Sequence, residues 1–131
     1  MISDKLKHIF LISLLLIYAH GIEEIIGGFQ YFDSFMVSGA NYFGITPEIF
    51  YWVSHMIFWL SLPILFLLFH QRRVGLILIT IFGGIFIIEL HHPIKAILAS
   101  QYYPGTITAL FYPIIGIFFW KQTFTDWKKI E

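Results

Sequence analysis

Eight ionisable side chains interrupt stretches that are otherwise apolar: His20, Glu23, Glu24, His55, Glu89, His91, His92 and Lys95. In a membrane helix each costs about 2.5–3.5 kcal/mol to insert. Their spacing groups them. His20, Glu23 and Glu24 stand at i, i+3 and i+4, so one helical face carries all three. Glu89 and His92 stand at i and i+3 and share a face, whereas His91 points about 100° away and joins them only if Pro93 kinks the helix. A Glu-x-x-His pair projecting inward is the ligand spacing of di-iron carboxylate bundles. The reversed His-x-x-Glu spacing on another helix would complete such a site. His20, Glu24, Glu89 and His92 are therefore the expected ligands of a divalent metal, with nitrogen and oxygen donors suited to zinc, iron or manganese. Glu23 is the expected general base or acid, and His55 a further ligand or proton shuttle.

These residues must be positioned by membrane helices. The chain has 131 residues, 58% hydrophobic and only 12% charged, against about 25% charged in a typical soluble domain. Its mean hydropathy is +0.78. A soluble fold of this size could not cover its surface with so few charges. There is no cysteine, which excludes disulfides and thiolate chemistry. The zero formal net charge, with no long basic tract, excludes a nucleic-acid partner.

Four apolar runs, at residues 6–29, 49–69, 74–98 and 106–120, predict a single all-α domain over 1–131, a bundle of four transmembrane helices. The last is short, with Tyr102, Tyr103 and Trp120 expected at its interfacial ends. Lys5 and Lys7, Arg72 and Arg73, and Lys121, Lys128 and Lys129 all fall on one side of the hairpin array; only Lys95 lies toward the other. The positive-inside rule then predicts a multi-pass cell-membrane protein with both termini cytoplasmic. At about 1.5 Å per residue, the antiparallel order brings His20, Glu23, Glu24, His55, Glu89 and His92 to one layer in the outer half of the bilayer.

Residues 29–45 carry Tyr31, Phe32, Phe35, Met36, Tyr42 and Phe43 and read as an interfacial segment over the bundle mouth, broken at Ser38, Gly39, Ala40 and Asn41. Thr46, Pro47 and Glu48 read as a helix start. A secretory signal over residues 1–21, cleaved after Ala19-His20-Gly21, is the rival reading of the first run. The continuation through Ile22, Ile25 and Ile26 suits an uncut span. Trp52 and Trp59, at i−3 and i+4 from His55, either wall a pocket or face lipid. Gly21, Gly27, Gly28, Gly83, Gly84 and Gly116 would permit close helix contact. The fourth helix offers Thr106, Thr108 and Tyr112, of which Tyr112 is the expected donor to the site. Asp4, Asp33 and Glu48 are expected in solvent, and His8 and His70 at the cytoplasmic ends.

The string His20-Gly21-Ile22-Glu23-Glu24 inside an apolar first helix resembles the signature of the HXXEE-domain family of small bacterial membrane proteins. The resemblance makes His20, Glu23 and Glu24 the motif residues and implies no activity; His55, Glu89 and His92 join them on depth and spacing alone. The string also approaches the inverted zinc-protease pattern His-x-x-Glu-His, but Glu24 stands where the second histidine belongs, which argues against a protease.

A purely structural reading stands beside the chemical one: buried acids and histidines can lock a bundle, with Lys95 neutralising Glu89 or Glu24. Three acids and three histidines at one depth favour chemistry. The expectation is a metal-dependent enzyme whose partners are membrane lipid and an apolar small-molecule substrate. The alternatives are a metal-free acid–base lipid isomerase, and a proton-coupled transporter or assembly subunit; four helices make a narrow transporter, so that alternative favours a homo-oligomer. The topology has a direct check. A reporter fused after residue 131 should read cytoplasmic and one inserted near Asn41 external; an external C-terminus would dissolve the common layer.

Overall fold

The computed structural model describes residues 2–129 and is helical throughout, with no strand among the described residues. Four rods, Asp4–Gly27, Pro47–His70, Arg72–Ala99 and Thr106–Trp127, are long and apolar enough to cross a membrane. The first rod is α1 (Asp4–Gly27), started by the Ser3 side chain accepting from the Leu6 N–H and ended at Gly28, which adopts φ 73°. Two short helices follow, α2 (Phe29–Phe32) and α3 (Ser34–Phe43). The second rod is α4 (Pro47–Leu67), extended by a 3-10 turn over Leu68–His70. Thr46 caps it through the Ile49 N–H, with Pro47 in the first turn. The third rod has three pieces: α5 (Arg72–Phe82), α6 (Ile85–Ile88) and α7 (His91–Ala99). The fourth is α8 (Thr106–Ala109) and α9 (Tyr112–Trp127).

The apolar core joins α1, α5 and α9. Leu6, Phe10, Leu76, Ile79 and Phe119 are fully buried there, with ring contacts at 4.8 Å for Phe10–Phe82 and for Phe86–Phe119. The two chain ends meet at this end of the bundle. The Ser3 N–H donates to Asp126 Oδ2 at 2.8 Å, and Gln122 Nε2 donates to Asp126 Oδ1 at 2.9 Å. The second rod is peripheral: 11% of its span is buried inside the bundle, against 33% in each of the others. Leu15, Ile57, Leu60, Ile81 and Ile117 point outward, an outer surface that water would not tolerate and lipid does.

Four expectations are corrected. The helix containing 106–120 continues to Trp127, because the buried Gln122–Asp126–Ser3 contacts hold its last turns, so Trp120 lies within the helix. Ser38, Gly39, Ala40 and Asn41 do not break α3. Ala40 is fully buried, and Gly39 packs so close to Phe50 that an added Cβ would come within 2.4 Å of its ring. These small residues let α3 lie on α4, and the breaks fall at Asp33 and Gly44 instead. Asp33 is not solvated but 4% exposed. Lys95, finally, pairs with Asp33 Oδ2 at 2.5 Å rather than with Glu24 or Glu89, because the turn at Asp33 folds that carboxylate back over α7.

Asp33 is a junction. It accepts from Lys95, from Tyr103 Oη at 2.8 Å, and from the Phe35 and Met36 N–H groups as the cap of α3. Burial works against its charge, but the hydrogen bonds from Lys95, Tyr103 and Met36 outweigh burial and hold its pKa below the ordinary value. A lowered carboxylate pKa adds stability that is complete above the unfolded value near 3.8 and disappears as pH falls through the folded value. Asp33→Asn keeps the cap and removes the charge. It should lower stability in detergent by about 1–3 kcal/mol at pH 7, and the gap from wild type should close as pH falls through the lowered pKa of Asp33 in the folded protein. Thermal unfolding followed by circular dichroism checks both; an unchanged gap at acid pH would show that the charge contributes nothing.

Candidate metal centre

Four rods converge where the third is irregular. Between α6 and α7 the backbone passes through Glu89 and Leu90, and His92 on the first turn of α7 is fully buried. From α1 come His20 and Glu24, one helical turn apart and both 4% exposed. From α4 comes His55. Glu89 Oε2 lies 2.9 Å from His20 Nε2 and 3.1 Å from His92 Nε2. The two Nε2 atoms are 3.2 Å apart. Glu24 Oε1 lies 3.3 Å from His92 Nε2 and 3.7 Å from His20 Nε2, while Glu24 Oε2 lies 3.3 Å from His55 Nε2. Around an ion with ligands at about 2.0–2.1 Å, tetrahedral edges are about 3.3–3.4 Å. The separations among His20, His92, Glu89 and Glu24 bracket that edge. The buried His20–Glu89–His92 group could hold a metal ion, its donor atoms all lying within 4.8 Å of one another.

The protons of the three imidazoles follow from their second partners. His92 Nδ1 lies 2.5 Å from the Pro104 carbonyl and His55 Nδ1 2.9 Å from the Tyr51 carbonyl, so each donates there. His20 Nδ1 lies 2.7 Å from Thr108 Oγ1. That hydroxyl gives its own proton to Glu23 Oε2 at 2.6 Å, so it accepts from His20. All three Nε2 lone pairs therefore face the two carboxylates. The protein supplies the cluster one donor, the Tyr51 hydroxyl, 2.9 Å from Glu24 Oε2. Glu89 Oε2 is buried and accepts no hydrogen bond. Such a set of acceptors with two negative charges is stable only around positive charge: two added protons, or one divalent cation. Histidines tied at Nδ1 with free Nε2 are the usual arrangement of metal ligands.

Of the six residues expected at the site, five are brought together: His20, Glu24, His55, Glu89 and His92. Glu23 is turned toward the fourth rod. It accepts from the Ile107 and Thr108 N–H groups, the Thr108 hydroxyl and the Tyr102 hydroxyl, at 2.6–2.9 Å, and touches the cluster only through Thr108. His91 stays outside, its Nδ1 at 2.9 Å from the Ile88 carbonyl. Trp59 stands 5.9 Å from the His55 ring and walls a cavity, whereas Trp52 is 38% exposed and lines neither cavity at the cluster. From the fourth helix Thr108, not Tyr112, bonds to the cluster. Tyr112 places its ring 5.3 Å from His20, and its buried hydroxyl has no partner. Tyr51 was unforeseen, although its place four residues before His55 puts it on the same face. The Pro104 carbonyl leaves no trace in residue types.

Two cavities meet at the cluster and share Glu24, His55, Ile88 and Glu89. One, about 380 Å³, runs from His20 and Tyr112 past Phe58, Trp59 and Ile81 to the bundle's side. The other, about 400 Å³, opens toward α2 and α3 past Asp33, His91 and Lys95. Comparison of the chain with protein-family models, curated proteins and solved structures gives no match in any of the three.

The backbone at Gly105 makes the convergence of His20 and His92 feasible. It adopts φ +90°, and a Cβ there would lie 2.6 Å from His92 Nδ1 and 2.7 Å from His20 Cε1. Gly105→Ala should therefore destabilise the protein by at least about 1–3 kcal/mol, read as a lower unfolding temperature in detergent. Gly44→Ala carries similar φ strain, +66°, with nothing near its Cβ. A loss at Gly105 no larger than at Gly44 would mean that the two rings have room to retreat.

Proposed function

We propose that this chain is a membrane-embedded, metal-dependent enzyme acting on an apolar or lipidic substrate, with His20, Glu24, Glu89 and His92 as the metal ligands. The observation that carries the reading is the set of Nε2 lone pairs and carboxylate oxygens aimed at one point with every Nδ1 proton already committed elsewhere. Zinc, iron or manganese suits two nitrogens and two oxygens. Such an ion, when bound, supplies Lewis acidity and lowers the pKa of water. The chain's own residues do the rest. His55 Nε2 keeps a lone pair 3.3 Å from Glu24 at the shared wall of the two cavities, so it can take a proton from a hydroxyl there and return it. Glu23 acts through Thr108, holding His20 in the tautomer that leaves Nε2 free. The His-x-x-Glu-Glu string, similar to that of the HXXEE-domain family, groups the same three residues. The distribution of Lys and Arg supports a multi-pass cell-membrane protein with both termini cytoplasmic.

A second reading has its own support. The 2.9 and 3.1 Å contacts of Glu89 are also hydrogen-bond lengths for protonated histidines, which would give a metal-free acid–base site, either catalytic or a proton path.

Elemental analysis of protein purified without chelator decides between them. The metal reading expects about one equivalent in wild type, and chelation should lower the unfolding temperature of wild type. Replacing His20, Glu24, Glu89 and His92 together by Leu should abolish metal content. It should leave a folded protein indifferent to chelator, because the whole charged group is removed rather than half of it. A wild type that takes up no zinc, iron or manganese under any loading condition would leave only the proton reading.

A further inference from the structure

The 380 Å³ cavity says more about its ligand than that it is apolar. Its mouth lies between α4 and the third rod, where Ile81 and Ile88 are 70% and 66% exposed on the outer surface, so a molecule enters sideways from the hydrocarbon. A second groove, about 300 Å³, continues from it along α4 and α5 and shares Phe58, Ile81 and Phe82 as walls. From His55 to Leu68 along α4 this seam covers about 20 Å at the helical rise. That length, with volumes of about 380 and 300 Å³, matches one extended hydrocarbon chain. Apart from Ser61, whose hydroxyl donates to the Phe58 carbonyl, polarity is confined to the end at His20, Glu24, His55, Glu89 and Tyr112.

The polar end decides the chemistry. Tyr112 is fully buried, lines the cavity, and its hydroxyl has no partner. An unpaired buried hydroxyl costs about 1–3 kcal/mol and is satisfied by a ligand oxygen that can accept or donate. The charges are already balanced. Among the described residues lining this cavity and the one beyond the cluster, the only lysine or arginine is Lys95, and Asp33 holds it. Glu24 and Glu89 face the cation or protons that neutralise them. A carboxylate or phosphate head would therefore meet two acids and no free base.

We propose that the site binds a single-chain amphiphile whose polar end is uncharged, a hydroxyl or carbonyl oxygen seated against Tyr112 with the chain along the α4–α5 seam. This rests on the reading of the cluster as a reaction centre and names the substrate class it would take.

The test uses the full chain purified in detergent and radiolabelled oleyl alcohol, with oleate and octadecene as competitors of matched length, and metal content measured on the same samples. Oleyl alcohol should compete at least about tenfold better than either. Tyr112→Phe should weaken the alcohol about 5- to 10-fold and octadecene not at all. Ile81→Trp, at the exposed mouth, should weaken both, and Ile85→Trp, deeper in the cavity, serves if Ile81→Trp does not fold. Asp33→Asn, which frees Lys95, should improve oleate relative to the alcohol. Oleate binding as tightly as the alcohol in wild type, octadecene matching it, or Tyr112→Phe and Ile81→Trp both binding as wild type would each overturn the proposal. Alcohol binding by a protein that carries no metal supports this proposal while refuting the metal reading, so the two fail separately.

Discussion

Two carboxylates in an apolar bundle, Glu24 and Glu89, impose the constraint from which the arrangement of this protein follows. An uncompensated charge in such surroundings costs several kcal/mol even after relaxation, so groups able to hold a compensating cation or protons must be gathered around each. Here they are gathered from every rod: His20 from α1, Tyr51 and His55 from α4, His92 from α7, with Thr108 of the fourth rod reaching in behind His20. At the opposite end, the aromatic layer of Phe10, Phe82, Phe86 and Phe119 holds α1, α5 and α9 together by burial. The bundle thus has two clasps of different physics, one apolar and one electrostatic. Only the second depends on what occupies it.

The adjacent glutamates of the first rod illustrate how one helical turn separates two tasks. Successive residues diverge by about 100°, so Glu24 enters the bundle while Glu23 faces the fourth rod. Glu23 accepts two backbone N–H groups at the start of that rod, donors the first turn of a helix leaves free. It also fixes the Thr108 hydroxyl, and through it the proton on His20 Nδ1. Placement and protonation are controlled from the same carboxylate. The Pro104 carbonyl does for His92 what Thr108 does for His20, and the tight turn at Gly105 brings both partners within reach.

The layer of acids and histidines was legible because helix rise and antiparallel order are nearly fixed by chain chemistry: counting residues from the ends of three apolar runs predicts that His20, His55 and Glu89 meet at one height. The Thr46-Pro47 start was legible for a similar reason, a cap and a proline having local geometry. What escaped was set by tertiary folding. Ser38 to Asn41 look like a break because small polar residues usually are; in the helix Gly39 packs against Phe50 and Ala40 is buried, which lets α3 lie on α4, while Ser38 and Asn41 stay exposed. Asp33 looks solvated because nothing in its neighbours announces that α2 will turn it onto Lys95, sixty-two residues away. A backbone carbonyl such as that of Pro104 carries no residue-type signal at all.

The second rod binds these observations into one argument. Only 11% of its apolar stretch is buried; Leu62 and Phe69 reach the core, with Phe58, Trp59, Leu65 and Phe66 packed beside them, and in lipid no hydrophobic force drives helices together. At the site end its Tyr51 and His55 side chains both meet the same oxygen of Glu24, Tyr51 also donates to the Gly21 carbonyl, and Tyr18 of α1 donates to the Trp59 carbonyl. The same rod supplies Phe58 and Trp59 to the wall of the lateral cavity. The side chains that meet Glu24 and those that wall the opening to lipid therefore stand on one helix, so the placement of α4 sets the charge environment of the cluster and the shape of the cavity together.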